Sequence, residues 1–192
     1  KHKCKNCIQF YFSKFRQAMT IDPRAFRNAL GQFPTGVCVV TTPTYNVSSI
    51  GVTISSFNSV SLDPPLVLWS LGTSSGLRPI FRDNPGFVVN ILAADSEAIA
   101  MHFATSKDRT VSDLKTEHVD NIGARLCDSL VSFDCLTHEI VEAGDHDIFI
   151  GRVVGFKQWR HDDALGFSGG KFCVIPGLET HHSPTVLPPL KE

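Results

Sequence analysis

Between residues 37 and 175, runs rich in Val, Ile, Leu, Phe and Thr alternate with turn residues at intervals too short for helical crossovers. Val37 to Thr42 is a β-branched run, and Ile50 to Ser56 follows the turn residues Pro43 to Ser49. Leu66 to Leu71 stands behind the stiff corner Asp63-Pro64-Pro65, and Phe87 to Leu92 behind Asn84-Pro85-Gly86. Leu130 to Ala143 and Ile148 to Trp159 flank Gly144-Asp145-His146, and Phe172 to Ile175 is a last short run. Each reads as a strand bounded by breakers. Parallel neighbours need a crossover of about a dozen residues or more, so the spacing predicts an all-β dominated fold, a barrel or a sandwich.

Helices are few and short. Asp22 before Pro23, the pair Phe26 and Leu30 one turn apart, and Gly31 as a stop mark the first. Leu77 to Arg82 marks a second, and Asp95 is expected to cap a third through Ala98 to Phe103. Residues 104–129 are polar with weak periodicity, and a long surface loop with a short helix is expected there. One domain over residues 19–182 accounts for these elements. Residues 1–18 read as an N-terminal extension, with Met19 a natural start and the extension a candidate non-native addition, and 183–192 as a Pro-rich tail.

Composition narrows the function classes. Hydrophobic residues at 42% and charged residues at 19% exclude a disordered chain. A net charge of -1 gives no global field for nucleic acid or an anionic membrane, so neither is expected as a partner. No apolar run nears the roughly 20 residues of a membrane span. Six cysteines form no paired framework and read as buried free thiols of a reducing, cytoplasmic setting. Cys4 and Cys7 have zinc-knuckle spacing but lack a second pair, so no metal is expected.

Three stretches carry candidate chemistry. Thr53 to Ser61 concentrates hydroxyls, short donors suited to a phosphate, although a solvated Ser/Thr-rich edge strand fits the same pattern. Gly144-Asp145-His146 is a glycine corner that sets a histidine at a rim, where it is either a ligand contact or an exposed turn residue. Phe103-Ala104-Thr105-Ser106-Lys107-Asp108-Arg109 runs from a helix end into a basic loop. No dinucleotide-binding glycine fingerprint and no phosphate-binding loop of the G-x-x-x-x-G-K-[ST] kind occurs.

In series, these segments resemble the short-chain flavin reductases, the reductase components of two-component flavin-dependent monooxygenases. The resemblance rests on Ile21 to Arg27, Gly31 to Val37, Ser55 to Leu68, Phe87 to Leu92, Phe103-Ala104, and Gly144-Asp145-His146 with Gly151 and Val153. It covers about residues 20–176 and implies a split β-barrel, FMN-binding-protein-like and Greek-key, acting as a homodimer beside a flavin-dependent monooxygenase. It implies FMN or FAD as cofactor and NADH or NADPH as co-substrate. By motif, Thr35, Gly36 and Val37 border the flavin ring. Thr53, Ile54, Ser55 and Ser56, with Ser59, Val60 and Ser61, hold its ribityl and phosphate parts. Ser75, Phe103, Ala104 and Arg109 complete the phosphate end, and Asp145 and His146 position the nicotinamide, with His146 the catalytic candidate. Thr110-Val111 stand where the family is usually aromatic. Phe167 to Phe172 replaces a tyrosine-glycine-tyrosine-like pattern, which implies an altered pocket over the nicotinamide or flavin ring. The competing readings are a non-catalytic flavin-binding barrel and a pyridoxamine-phosphate-oxidase-like flavin oxidase, against which Gly144-Asp145-His146 favours the reductase.

Overall fold

The computed structural model describes residues 21–45 and 49–177. The N-terminal extension, Cys4, Cys7, and the tail from Ser183 lie outside them. The chain divides into two units, Lys1–Phe33 and Pro34–Glu192. The first holds helix α1 (Pro23–Leu30), which starts as its sequence dictates: Asp22 Oδ1 accepts from the Ala25 amide at 2.7 Å, and Pro23 occupies the first turn. Gly31 ends it, donating its amide to the Arg27 carbonyl.

The second unit is built on strands. A seven-stranded sheet runs in the order β3 (Ile50–Ile54), β2 (Cys38–Thr42), β6 (Gly86–Leu92), β9 (Ser129–Ala143), β10 (His146–Gln158), β5 (Pro65–Gly72), β4 (Asn58–Leu62). Its pairings are antiparallel throughout. A smaller sheet joins β1 (Thr35–Gly36), β11 (Ala164–Ser168) and β12 (Lys171–Ile175), and β7 (Thr116–Val119) pairs with β8 (Gly123–Leu126). Helices α2 (Arg78–Asp83) and α3 (Glu97–Thr105) complete it.

Strand β2 is buried on both faces, and alternation divides its side chains between two cores. Cys38 and Val40 join Trp69, Phe81, Phe87 and Phe149, whereas Val37 and Val39 join Leu92, Phe103, Leu126 and Leu165. Trp69 stacks on Phe149 at 4.6 Å and meets Phe81 and Phe87 edge-on. Gly51 is required by the second core: a Cβ there would lie 2.9 Å from the Phe103 ring, so only glycine lets α3 settle on β3.

The barrel closes without a ladder at one place. β3 and β5 are not hydrogen-bonded neighbours in the sheet. Ser56 Oγ instead accepts from the Ser70 amide at 2.9 Å and donates to the Ser70 carbonyl at 3.3 Å. The start of β3 is covered by Arg109 to Val111, through Gly51 N to Arg109 O and Val111 N to Ser49 O.

The sequence expectations need four corrections. Residues 104–129 hold the β7–β8 hairpin and not only a surface loop, with Val111, Ala124 and Leu126 buried. Two four-residue strands are too short to register a period, and their turn signal is Asn121 at φ 59°. Asp95 does not cap α3; its carboxylate takes Arg160, and Ser96 stands at the cap position. Strands β1, β4 and β11 lie outside the runs read as strands: β1 has two residues, β4 is the Ser-rich edge strand that carries Ser59 to Ser61, and β11 interrupts its apolar pattern with Gly166. Cys38 and Cys135 are buried free thiols pushed up to about 12 by desolvation, but the free thiol of Cys173 is exposed.

Candidate functional site

A cavity of about 600 Å³ opens between α3, the end of β3 and the β11–β12 hairpin, within the range that takes cofactors. Glu97, Met101 and Ala104 line it from one face of α3, at the i, i+4, i+7 spacing of a helical stripe. Thr53, Ile54 and Ser55 form the β3 wall. Thr53 Oγ1 donates to the Ala100 carbonyl at 2.6 Å and so fixes the helix against the strand. Opposite stand Val37, Phe167, Gly170, Lys171 and Phe172. Their hairpin turns on Gly169 and Gly170 at φ 58° and 79°, the two positive values of a type I′ turn. Phe167 and Phe172 pair across it, edge-on at 5.5 Å.

These walls sort by chemistry. Val37, Met101, Phe167 and Phe172 offer apolar surface for a flat ring. The Ser55 hydroxyl and the Lys171 ammonium have no hydrogen-bond or ion-pair partner among the described residues, leaving a donor and a cation for a polar or anionic part. Such a set fits a planar heterocycle carrying a polyol phosphate.

A second group gathers at the β9–β10 turn. His146 pairs with Ala143, so Gly144 and Asp145 form a two-residue loop, with Gly144 at φ 63°. Glycine at the first central position is the type II′ signature. The Asp145 carbonyl accepts from the Thr73 amide at 2.8 Å and from Thr73 Oγ1 at 3.1 Å, which seats the turn on the loop after β5. His146 Nδ1 lies 2.7 Å from Asp145 Oδ1, and this bond holds the Asp145 carboxyl below the usual carboxylate range. A carboxylate only accepts, so Nδ1 carries the proton and the exposed Nε2 is left for a ligand.

Register connects the two groups. Ser56, one residue past the cavity wall, grips Ser70; Ser70 pairs with Ile148, and Gly72 with His146. The histidine therefore stands two strand residues beyond the seam, about 7 Å along β5.

Of the residues singled out from sequence, Val37, Thr53, Ile54, Ser55 and Ala104 share the cavity wall. Thr35 and Gly36 lie beside it in β1, paired with Phe167 and Gly166. Ser56 sits in the seam. Ser59, Val60 and Ser61 lie on β4, beyond β5, outside the cavity lining. Phe103 is buried in the second core. Arg109 caps the end of α3, donating to the Ser106 and Ala104 carbonyls at 3.1 and 3.3 Å. Ser75 lies in the loop after β5, where its Oγ accepts from the Leu77 amide at 3.3 Å and its amide donates to the Gly72 carbonyl at 3.0 Å. Glu97, Met101 and Lys171 were not singled out as site residues. Their available signals are the helical stripe 97-101-104 and the Gly-Gly turn between two phenylalanines.

Residues 30–176 match the model of the flavin reductase-like domain. The chain is 44% identical over 149 residues to the NADH-dependent FMN reductase SmoA of Agrobacterium fabrum, covering 78% of this chain and 84% of that protein. It is 31% identical over 167 residues to HsaB of Rhodococcus jostii, the reductase subunit of a flavin-dependent monooxygenase, covering 87% and 85% of the two chains. The solved structure of the Streptomyces globisporus NADH:FAD oxidoreductase SgcE6 with NAD and FAD fragments superposes with a TM-score of 0.73 at 32% identity. That likeness covers 88% of this chain and 99% of the other.

Proposed function

The chain belongs to the flavin reductase-like family, and from that premise we propose that it passes a hydride from NADH to FMN or FAD as the reductase component of a two-component flavin-dependent monooxygenase. The observation that carries this reading is the cavity, whose apolar walls, free hydroxyl and free cation all lie inside the family-matched residues. When bound, the flavin supplies the hydride-accepting ring, and the protein's part is placement.

Val37, Phe167 and Phe172 bound the ring and keep water from its faces. Ser55 and Thr53 meet the polyol, and Lys171 supplies positive charge to the anionic portion. His146 holds the nicotinamide: with Nδ1 engaged by Asp145, Nε2 accepts from the carboxamide N–H. Hydride transfer needs no nucleophile and no general acid from the side chains, so the part of these residues is placement.

Purified protein given FMN or FAD accelerates NADH oxidation, followed at 340 nm, in proportion to flavin until saturation. No acceleration with either flavin, using NADH or NADPH, overturns the reading.

A homodimer is part of the same proposal. The side chains of Trp69 and Phe87 are inside the barrel and supply none of its surface. Val154 and Phe156 on β10 are exposed instead, at 53% and 67%, and are the apolar area a second copy would cover. Light scattering at micromolar concentration gives twice the chain mass if this holds and the single mass if it does not. A cytoplasmic setting is supported by Cys38, Cys127, Cys135 and Cys173, all free. No helix among the described residues is long and apolar enough to cross a membrane.

A further inference from the structure

One residue past His146, strand alternation turns Asp147 inward, and its side chain is fully buried. It is met there by two arginines from α2. Arg78 Nε donates to Oδ2 at 2.7 Å and Arg78 Nη2 to Oδ1 at 3.0 Å; Arg82 Nη1 donates to Oδ2 at 3.0 Å. Glu142, opposite Asp147 on β9, takes the remaining outer contacts of both arginines. Arg78 and Arg82 are one helical turn apart, and Phe81 between them plugs the barrel end against Trp69 and Phe149 at 5.1 and 6.3 Å.

The consequence lies in what this cluster brackets. The loop Gly72 to Leu77 runs from β5 to α2, and its first part seats the Gly144–Asp145 turn through Thr73. Its far end is tied by Arg78 to Asp147, the neighbour of His146. Turn and loop are thus held to each other at two points, one on either side of His146. A lone surface ion pair would contribute little, but a carboxylate with three charge-assisted bonds from two planar forks allows one placement of strand against helix.

We propose that Asp147, acting through Arg78 and Arg82, is a positioning residue for NADH: it fixes the loop–turn frame that aims His146. The proposal rests on the reading of His146 as the nicotinamide contact. It predicts a change confined to NADH, with the flavin cavity, built on α3 and the β11–β12 hairpin, left as it is.

The test is a double-mutant cycle on the full chain. Asp147→Asn and His146→Ala are made singly and together, with NADH KM and kcat measured beside oxidised-FMN titration by fluorescence quenching and thermal unfolding. Loss of one aimed hydrogen bond is expected to raise KM for NADH roughly 3- to 10-fold in each single variant, with FMN affinity unchanged within about twofold. In the His146→Ala background, Asp147→Asn adds no further rise, because the two act on one contact. An additive rise, a parallel loss of FMN affinity, or a lowered melting temperature with unchanged KM overturns the positioning role. If His146→Ala alone leaves NADH kinetics untouched while Asp147→Asn does not, the nicotinamide reading of the turn fails, and this proposal with it. Should Asp147→Asn not fold, Arg82→Met, which keeps both Arg78 bonds, enters the same cycle with the same criteria.

Discussion

Among the hairpins of this barrel that turn on two residues, β9–β10 and β11–β12 are held in opposite ways. The β9–β10 turn is clamped: Thr73 takes its carbonyl, Asp145 takes His146, and the next residue is gripped by two arginines. The β11–β12 turn is bare. Open space surrounds the turn glycines of both hairpins, Gly144 as well as Gly169 and Gly170, but Lys171 after the second turn has no partner among the described residues. The contrast follows the tasks proposed for them. A turn that aims one ring nitrogen at a small ligand must be rigid, whereas a wall facing a large flat cofactor must leave contacts unmade for the ligand to make.

The largest effect that tests this contrast is on stability. Asp147→Ala is expected to cost about 1–3 kcal/mol in urea unfolding, because it removes the acceptor of three charge-assisted bonds and leaves the partly exposed Arg78 and Arg82 with Glu142 alone. Lys171→Met, in the bare hairpin, stays within about 0.5 kcal/mol. The acid side sharpens the difference. Hydrogen bonding from Arg78 first, then Arg82, holds the Asp147 carboxyl below the usual carboxylate range against the opposing cost of desolvation. Its contribution is therefore complete above the ordinary carboxylate pKa and lost as pH falls through the lowered folded value. Urea midpoints measured from pH 7 down to pH 3 fall less steeply in Asp147→Asn than in the parent protein. Equal slopes would show that the cluster adds nothing.

A smaller effect separates the turns by function. Gly144→Ala and Gly170→Ala each force an L residue to positive φ in open space, at about 1 kcal/mol apiece. Matched in stability, they part in kinetics: Gly144→Ala raises KM for NADH, and Gly170→Ala weakens FMN binding. The same kinetic signature from both would erase the distinction. Smallest is the charge of Lys171. Lys171→Met raises the FMN dissociation constant a few-fold at low salt, and the gap closes as ionic strength rises, as befits a half-solvated pair. A gap indifferent to salt would mean packing, not charge.

Sequence carried the architecture further than the site. The strands of the large sheet other than the Ser-rich β4 were legible because long apolar runs such as 130–143 and 148–159 have few interruptions, and Pro and Gly punctuate them. The β7–β8 hairpin was not legible, since Glu117 and His118 hide a strand only four residues long. Within the site, Thr53 to Ser55 and the Gly-Asp-His turn were readable as local clusters. Lys171 and Glu97 were not, because they are 74 positions apart in sequence and only the fold brings them to one cavity. Ser59 and Ser61 show the converse: hydroxyls close to Ser55 in sequence travel with β4 to the other side of β5, where proximity along the chain has no meaning.

Ser56 gives the barrel a property that its strand order alone would not. A cylinder closed by a continuous ladder must break several backbone bonds before any two strands part, but among the described residues the hydrogen bonding between the β3 and β5 sides of this one is that of the Ser56 hydroxyl, beside the packing of Val52 and Ile54 on Val67 and Trp69. Local opening free energy scales with what must be broken, so this seam has fewer backbone hydrogen bonds to break than the laddered pairs beside it. The seam also borders the cavity, since Ser55 adjoins it.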